Sequence, residues 1–208
     1  MTNYQKKLEE FILKDIESKK NLTILEFGVR FGESTKKFID ILENNGGHLY
    51  SVDLEDFKNI SNSEKWTFIQ SRDDNFDYLE KRLPKKFDII YLDSFHNAKH
   101  IEKIFFYYFK KLNINGLFVI DDISHLPYLK GSKRDNFNCE INNQETFDKL
   151  LEILSTNKKN MNLFFSFRDS GLAKIIKISD NELNKTKKII SRKFSLKNYL
   201  RKIYTYFK

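Results

Sequence analysis

The sequence predicts an α/β fold: a mostly parallel sheet covered by helices on both faces, finished by an antiparallel hairpin. Three observations predict it. Short, near-continuous apolar runs such as "LTILEF", "FDIIYLD" and "LFVIDD" read as strands buried on both faces. The segments between them space their apolar residues three and four apart, which is helical periodicity. The last two apolar runs, "NLFFSF" and "LAKIIKI", are separated only by "RDSG", a turn suited to a hairpin.

Taken in order, Tyr4 to Ser18 carries Leu8, Phe11, Ile12 and Ile16 at helical spacing, and "LTILEF" follows as the first strand. Ser34 can cap the next helix, "TKKFIDILENN", whose Phe38, Ile41 and Leu42 share a face and which Gly46-Gly47 end. "HLYSVDL" and "WTFIQS" are the second and third strands. "NFDYLEKRL" is a helix stopped by Pro84, and "FDIIYLD" is the fourth strand. The helix "AKHIEKIFFYYFKKL" is broken at Asn115-Gly116 before "LFVIDD", the fifth strand. A polar connection, residues 123–142, precedes the helix "QETFDKLLEILSTN", and the hairpin closes the fold.

Forty per cent hydrophobic and 32% charged residues suit a soluble globular chain, and 208 residues suit one domain with a full core. No apolar run has the length of a membrane span, and the start shows no apolar leader. A lone cysteine, Cys139, makes neither an internal disulfide nor a zinc cluster, so a cytoplasmic setting is expected. The net charge of +8 is unevenly placed: Leu183 to Lys208 holds nine Lys or Arg and no acid. That leaves 28 bases against 29 acids in residues 1–182, the expected single domain.

Ligands of open α/β sheets bind beyond the carboxyl ends of the strands. "LTILEFGVRFGEST" puts Gly28 and Gly32 at such an end, where glycine permits positive φ and a close backbone approach. Alone, the pair can equally be a plain tight turn. Asp53 ends the second strand and can accept hydrogen bonds from both hydroxyls of a ribose. The turn lacks the middle spacing and third glycine of a dinucleotide fingerprint, and there is no G-K-[ST]. Glu26 at the strand end is ill placed for a pyrophosphate and suits a cationic ligand, such as the amino group and sulfonium of S-adenosylmethionine.

Asp93 ends the fourth strand and Asp121-Asp122 the fifth. On neighbouring strands, about 5 Å apart, these carboxylates raise one another's pKa unless a positive charge sits between them. A hard divalent cation, Mg²⁺ above all, would resolve the repulsion. His96, in the loop after Asp93, can serve as a base toward a substrate hydroxyl, or equally cap the next helix or support another side chain. His125 is a weaker candidate; His100 reads as an ordinary helix residue and His48 as a loop one.

"LEFGVRFGEST", "SVDLED", "FDIIYLDSFHNAKHI" and "NGLFVIDDI" together resemble the class I S-adenosylmethionine-dependent methyltransferases, and among them the branch that includes metal-dependent sugar and macrolide O-methyltransferases. The resemblance runs through residues 22–126 and implies a Rossmann-like, doubly wound sheet of seven strands with the last antiparallel. It implies S-adenosylmethionine at Glu26, Gly28, Gly32 and Asp53, with Ser34 beside them, and Arg30 where a middle glycine is usual. It leaves the acid that flanks the adenine as Asp73 or Asp74, with Asp73 taken first. It implies a metal at Asp93, Asp121 and Asp122, with Asp93 and His96 nearest the chemistry, on a hydroxyl of a small molecule or sugar.

Two segments stay open. Residues 123–142 are long enough for a lid, where Tyr128, Lys130, Lys133 and Arg134 would meet an acceptor, or are a plain surface loop. The tail, with Leu196, Tyr199, Leu200, Ile203 and Phe207 at helical spacing among bases, can dock on the body, pair with another subunit or lie on an anionic membrane. Nucleic acid ranks below these.

Overall fold

The computed structural model describes residues 2–125, 130–131, 136–190 and 195–207. Along β1 (Leu22–Phe27) the side chains divide between the two faces of a sheet. Leu22 and Ile24 join a cluster with Leu8, Ile12, Phe38 and Leu42, while Leu25 and Phe27 join one with Ile101, Phe105 and Phe118. β4 (Phe87–Leu92) repeats the division, with Ile89 and Tyr91 on the first side and Ile90 and Leu92 on the second. A strand's period of two makes this partition, and burial on both sides explains why these runs are apolar throughout.

β2 (Gly47–Asp53), β3 (Trp66–Gln70) and β5 (Leu112–Asp121) complete a parallel group with β1 and β4. β6 (Met161–Ser166) and β7 (Leu172–Lys177) form the expected hairpin, with β7 antiparallel to β5. The seven strands run in the order β3-β2-β1-β4-β5-β7-β6. The chain therefore builds outward from β1 to β3, then returns to place β4 on the other flank of β1. That reversal opens a crevice beyond the carboxyl ends of β1 and β4. In register, Phe27 lies beside Val52 and Leu92, and Leu92 beside Ile120, so Gly28, Asp53, Asp93 and Asp121 reach one edge of the sheet together.

The helical run at the start is α1 (Asn3–Leu8), a π-helical turn over Glu9–Leu13, and α2 (Lys14–Ile16). It lies on the same face as α3 (Glu33–Asn45). α5 (Ala98–Phe109) and α6 (Phe137–Asn157) cover the other face, with the short α4 (Phe76–Glu80) beside them. At the far end is α7 (Leu196–Tyr206).

Several boundaries differ from the sequence reading. α3 begins at Glu33 with Gly32 as its cap at φ 70°, so Ser34 is inside the helix and free for another bond. β5 starts five residues early, at Leu112, because Leu112 pairs with Phe87 before the register shifts and Asn115, at φ 63°, turns the chain back into the ladder. α6 takes in residues assigned to the end of the 123–142 connection. Of the four residues expected in a lid, Lys130 is exposed, and Tyr128, Lys133 and Arg134 lie outside the described residues. His48 is in β2, not a loop, with its Nε2 2.8 Å from Thr67 Oγ1.

Candidate active site

Gly28 leaves β1 at φ 92°, donating its N–H to Val52 O, and Asp93 N–H donates to Phe27 O. The two strand ends press together so closely that a Cβ on Gly28 would stand 2.0 Å from the carbonyl oxygen of Asp93. Only glycine fits. Beyond it opens a cleft of about 720 Å³, lined among others by Gly28, Asp53, Asp73, Asp93, Ser94 and His100. Phe31, Leu54 and Phe95 also line it and leave 64–70% of their surface exposed, which gives its mouth an apolar rim.

The carboxylates around this crevice have separate fates. Glu26 is fully buried. Ser34 Oγ donates to its Oε1 at 2.6 Å, and Thr35 Oγ1 and Ser51 Oγ donate to its Oε2 at 2.8 and 2.6 Å. Burial pushes its carboxyl up to about 7, against the opposing pull of these three hydroxyls. Glu26 is not among the residues that line the cleft; it fastens the start of α3 and β2 to β1. Nor do Ser34 and Gly32 line it. Ser34 is spent on Glu26, and a Cβ at Gly32 would meet the Ile60 side chain rather than the cleft.

Asp53 does line the cleft. Its Oδ2 accepts from Val29 N at 2.7 Å and Arg30 N at 3.4 Å, and its Oδ1 accepts from Glu55 N at 3.1 Å. The carboxylate thus holds the glycine turn in shape, including Arg30 at φ 49°, and presents its remaining lone-pair capacity to the cleft. Asp73 and Asp74 differ in where they face. Asp73 lines the cleft, accepting from Ser94 Oγ at 2.5 Å, with His100 Nε2 2.8 Å from the same oxygen. Asp74 pairs with Arg72 and Lys103, and the Arg72 guanidinium beside it holds its carboxyl well below the usual range. His100, read from the sequence as an ordinary helix residue, belongs to the site.

At the ends of β4 and β5 the three acids do converge, and a cation does sit among them, but it comes from the chain itself. Lys7 Nζ donates to Asp121 Oδ1 at 2.5 Å and to Ser170 Oγ at 2.8 Å; Lys7 is fully buried and Asp121 1% exposed. Tyr91 Oη donates to Asp121 Oδ2 at 2.7 Å, and Ser170 Oγ and Asp122 N donate to Oδ1. Three of these donors crowd onto Oδ1, and Oδ2 takes Tyr91 alone. Tyr4 Oη lies 2.9 Å from Tyr91 Oη and donates to Asp93 Oδ2 at 3.2 Å. Enclosure and the charges of Asp121 and Asp122 push the Asp93 carboxyl well above its ordinary value; burial and the charges of Asp93 and Asp121 push the phenols of Tyr4 and Tyr91 up.

Asp93 and Asp122 keep one oxygen each toward His96, whose Nε2 lies 3.4 Å from Asp93 Oδ1 and 3.3 Å from Asp122 Oδ2. Asn97, not His96, caps α5, its Oδ1 accepting from Lys99 and His100 N–H. The chain itself answers part of the expected three-carboxylate site: Asp121 carries the buried Lys7 ammonium, and its Oδ1 already takes three donors. Among the described residues no group of three or more His, Cys, Asp or Glu is placed to hold an ion.

Sheet order, switch point and glycine turn together decide the relationship. Residues 25–123 match a family model described as a methyltransferase domain. The chain has the fold of the class I S-adenosylmethionine-dependent methyltransferases. MycE, from the mycinamycin biosynthetic pathway and solved with Mg, S-adenosylhomocysteine and mycinamycin VI, is 20% identical at a TM-score of 0.59 over 82% of this chain and 48% of its own. A candidate caffeoyl-CoA O-methyltransferase from Staphylococcus aureus is 19% identical at a TM-score of 0.59, over 85% and 84%. The Podospora anserina methyltransferase PaMTH1, solved with S-adenosylhomocysteine, is 15% identical at 0.61, over 80% and 76%. The chain spans about half the length of MycE. No curated protein matches it. Within this methyltransferase fold, the described residues hold no helix long and apolar enough to cross a membrane.

Proposed function

We propose that the protein transfers a methyl group from S-adenosylmethionine to a hydroxyl of a small molecule or sugar. One observation carries the reading: His96 is held between the two outward carboxylates of Asp93 and Asp122 at the carboxyl ends of β4 and β5, next to the cleft that Gly28 and Asp53 open. The cleft suits the adenosyl cofactor because it offers a backbone approach without a Cβ, a carboxylate with acceptor capacity left on one oxygen for a ribose, and an apolar rim for an adenine. Bound there, S-adenosylmethionine supplies an electrophilic methyl on a positively charged sulfur, open to in-line attack.

The chain's own residues then have two tasks. The first is alignment, which alone lowers such barriers by up to about 7–11 kcal/mol. Phe31, Leu54 and Phe95 shape the cleft mouth for this. The second is to take the proton that the acceptor oxygen loses as its new bond to carbon forms. The His96 imidazole is the group for it: Nε2 faces the carboxyl groups of Asp93 and Asp122 and keeps its own proton toward them, so Nδ1 takes the new one. No step is assigned to a divalent ion, because Lys7 already pairs with the most buried of the acids expected to hold one.

The test is a thermal shift with S-adenosylhomocysteine, on the wild type and on Asp53→Ala. Stabilisation of the wild type and its loss in the variant are expected; no shift in the wild type overturns the reading. With labelled S-adenosylmethionine and a panel of hydroxylated acceptors, His96→Ala lowers the rate by about 10²–10⁴-fold while keeping the shift. Unchanged turnover in His96→Ala removes His96 as the base, and turnover abolished by EDTA restores the metal.

A further inference from the structure

α7 is the one long element of the described chain that buries none of its residues. At about 100° per residue, Leu196, Tyr199, Leu200, Ile203 and Tyr206 fall on one arc of about 120°. Lys197, Asn198, Arg201, Lys202 and Thr205 occupy the opposite side. The apolar arc is open to solvent: Leu196 is 75%, Tyr199 63%, Leu200 57% and Tyr206 89% exposed, and Phe207, just past the helix, is 86% exposed. Ser195 caps the helix through its side chain, accepting from Asn198 N–H, so the amphipathic register is fixed locally rather than by packing on the body.

We infer that α7 lies in the surface of an anionic lipid bilayer, its apolar arc in the acyl boundary and its bases among the headgroups. Charge selects this occupant. From Leu183 to Lys208 there are nine Lys or Arg and no acid, whereas residues 1–182 carry 28 bases against 29 acids. A second copy laid on the same face would bring nine like charges to the nine already there. The body offers a net charge of only −1 to attract the tail, and the structure leaves the arc uncovered. A bilayer with acidic headgroups satisfies both sides of the helix at once.

The tether agrees with this. The segment before α7 is pinned to the body away from the cleft: Asn184 N–H donates to Asn157 Oδ1 at 2.7 Å, Thr186 Oγ1 donates to Glu102, and Ile189 N–H donates to Glu152 Oε1 at 3.4 Å. Attachment through α7 therefore leaves the crevice beyond β1 and β4 accessible. The inference is independent of the methyl-transfer reading.

The experiment is vesicle flotation of the full chain, with phosphatidylcholine alone or mixed with phosphatidylglycerol. The protein is expected to float with the mixed vesicles, to stay behind with phosphatidylcholine alone, and to detach at high salt. Each base near such a surface contributes roughly fivefold to the partition. Reversing Lys197, Arg201 and Lys202 to Glu should lower it by at least about a hundredfold. Leu200→Asp with Ile203→Asp should abolish flotation with an unchanged melting temperature, because both side chains are exposed. The inference is overturned if the wild type does not float with the mixed vesicles. It is overturned equally if the Asp variant floats like the wild type, or if sedimentation shows a dimer that the Asp variant dissolves.

Discussion

Lys7 and Asp121 form a pair that can be broken with a calculable result. Both ends are essentially inaccessible, and the ammonium is the only positive group among the four donors on that carboxylate. Lys7→Met keeps the length and most of the volume of the side chain and removes its charge. Asp121 is then buried with neutral donors alone, a change that costs about 3–5 kcal/mol when one partner of such a pair is deleted. In a chain of this size about 2–4 °C accompanies each kcal/mol, so the melting temperature should fall by roughly 6–20 °C. Removing both charges in Lys7→Met with Asp121→Asn should recover most of the loss, since the cost lies in the orphaned charge rather than in the absent bond.

The measurement is urea or thermal unfolding of the four proteins of that cycle, with and without Mg²⁺. Mg²⁺ should leave the wild type unchanged. A loss below about 1 kcal/mol in Lys7→Met would refute the reasoning, because a buried unpaired carboxylate cannot be that cheap. So would restoration of Lys7→Met by Mg²⁺, which would show that the three carboxylates accept an ion and that Lys7 merely stands in its place.

Two further predictions concern the wall of the cleft. Gly28→Ala sets a methyl against the Asp93 carbonyl at 2.0 Å and φ 92°, and both neighbours are backbone; positive-φ strain and overpacking together should cost about 2–5 kcal/mol and abolish the thermal shift with S-adenosylhomocysteine. Glu26, with its folded pKa raised from 4.5 to about 7, binds a proton in the native state over a range where the unfolded chain has lost it. Stability attributable to it is therefore greatest below pH about 4.5 and declines as the pH rises to about 7, by about 3 kcal/mol in all. Denaturation at a series of pH values should show that slope in the wild type and its loss in Glu26→Gln; parallel curves would rule it out.

Legibility followed sequence distance. The strands, their order of burial and the acids at their ends were readable because each is a local pattern: an apolar run, then a turn. What the acids bind was not, because their partners arrive from elsewhere. Lys7 is 114 residues from Asp121, and His100 is 27 from Asp73. A trace of Lys7 was present in the sequence. It falls three residues after Tyr4 and one before Leu8, on the face of the first helix that should be apolar, and a base in that position needs an acid to meet. The enclosure of Glu26 was hidden for the same reason: its three hydroxyls come from Ser34 and Thr35, eight and nine positions on in α3, and from Ser51 in β2.

The way each acid is neutralised locates the chemistry better than any one residue does. Glu26 is met by hydroxyls, Asp53 by backbone amides, Asp73 by Ser94 and His100, and Asp121 by Lys7. Each of these arrangements fixes a piece of backbone around the crevice and is complete, or nearly so, within the chain. Asp93 and Asp122 differ. A quarter of the Asp93 side chain and a third of that of Asp122 remain open, and the group they share, His96, is itself 28% exposed. This trio faces outward while Glu26 and Asp121 are answered inside the chain, so it is the part of the cluster arranged for a partner that comes and goes. An acceptor hydroxyl arriving at His96 would meet a ring already oriented by the two carboxyl groups on its Nε2 side.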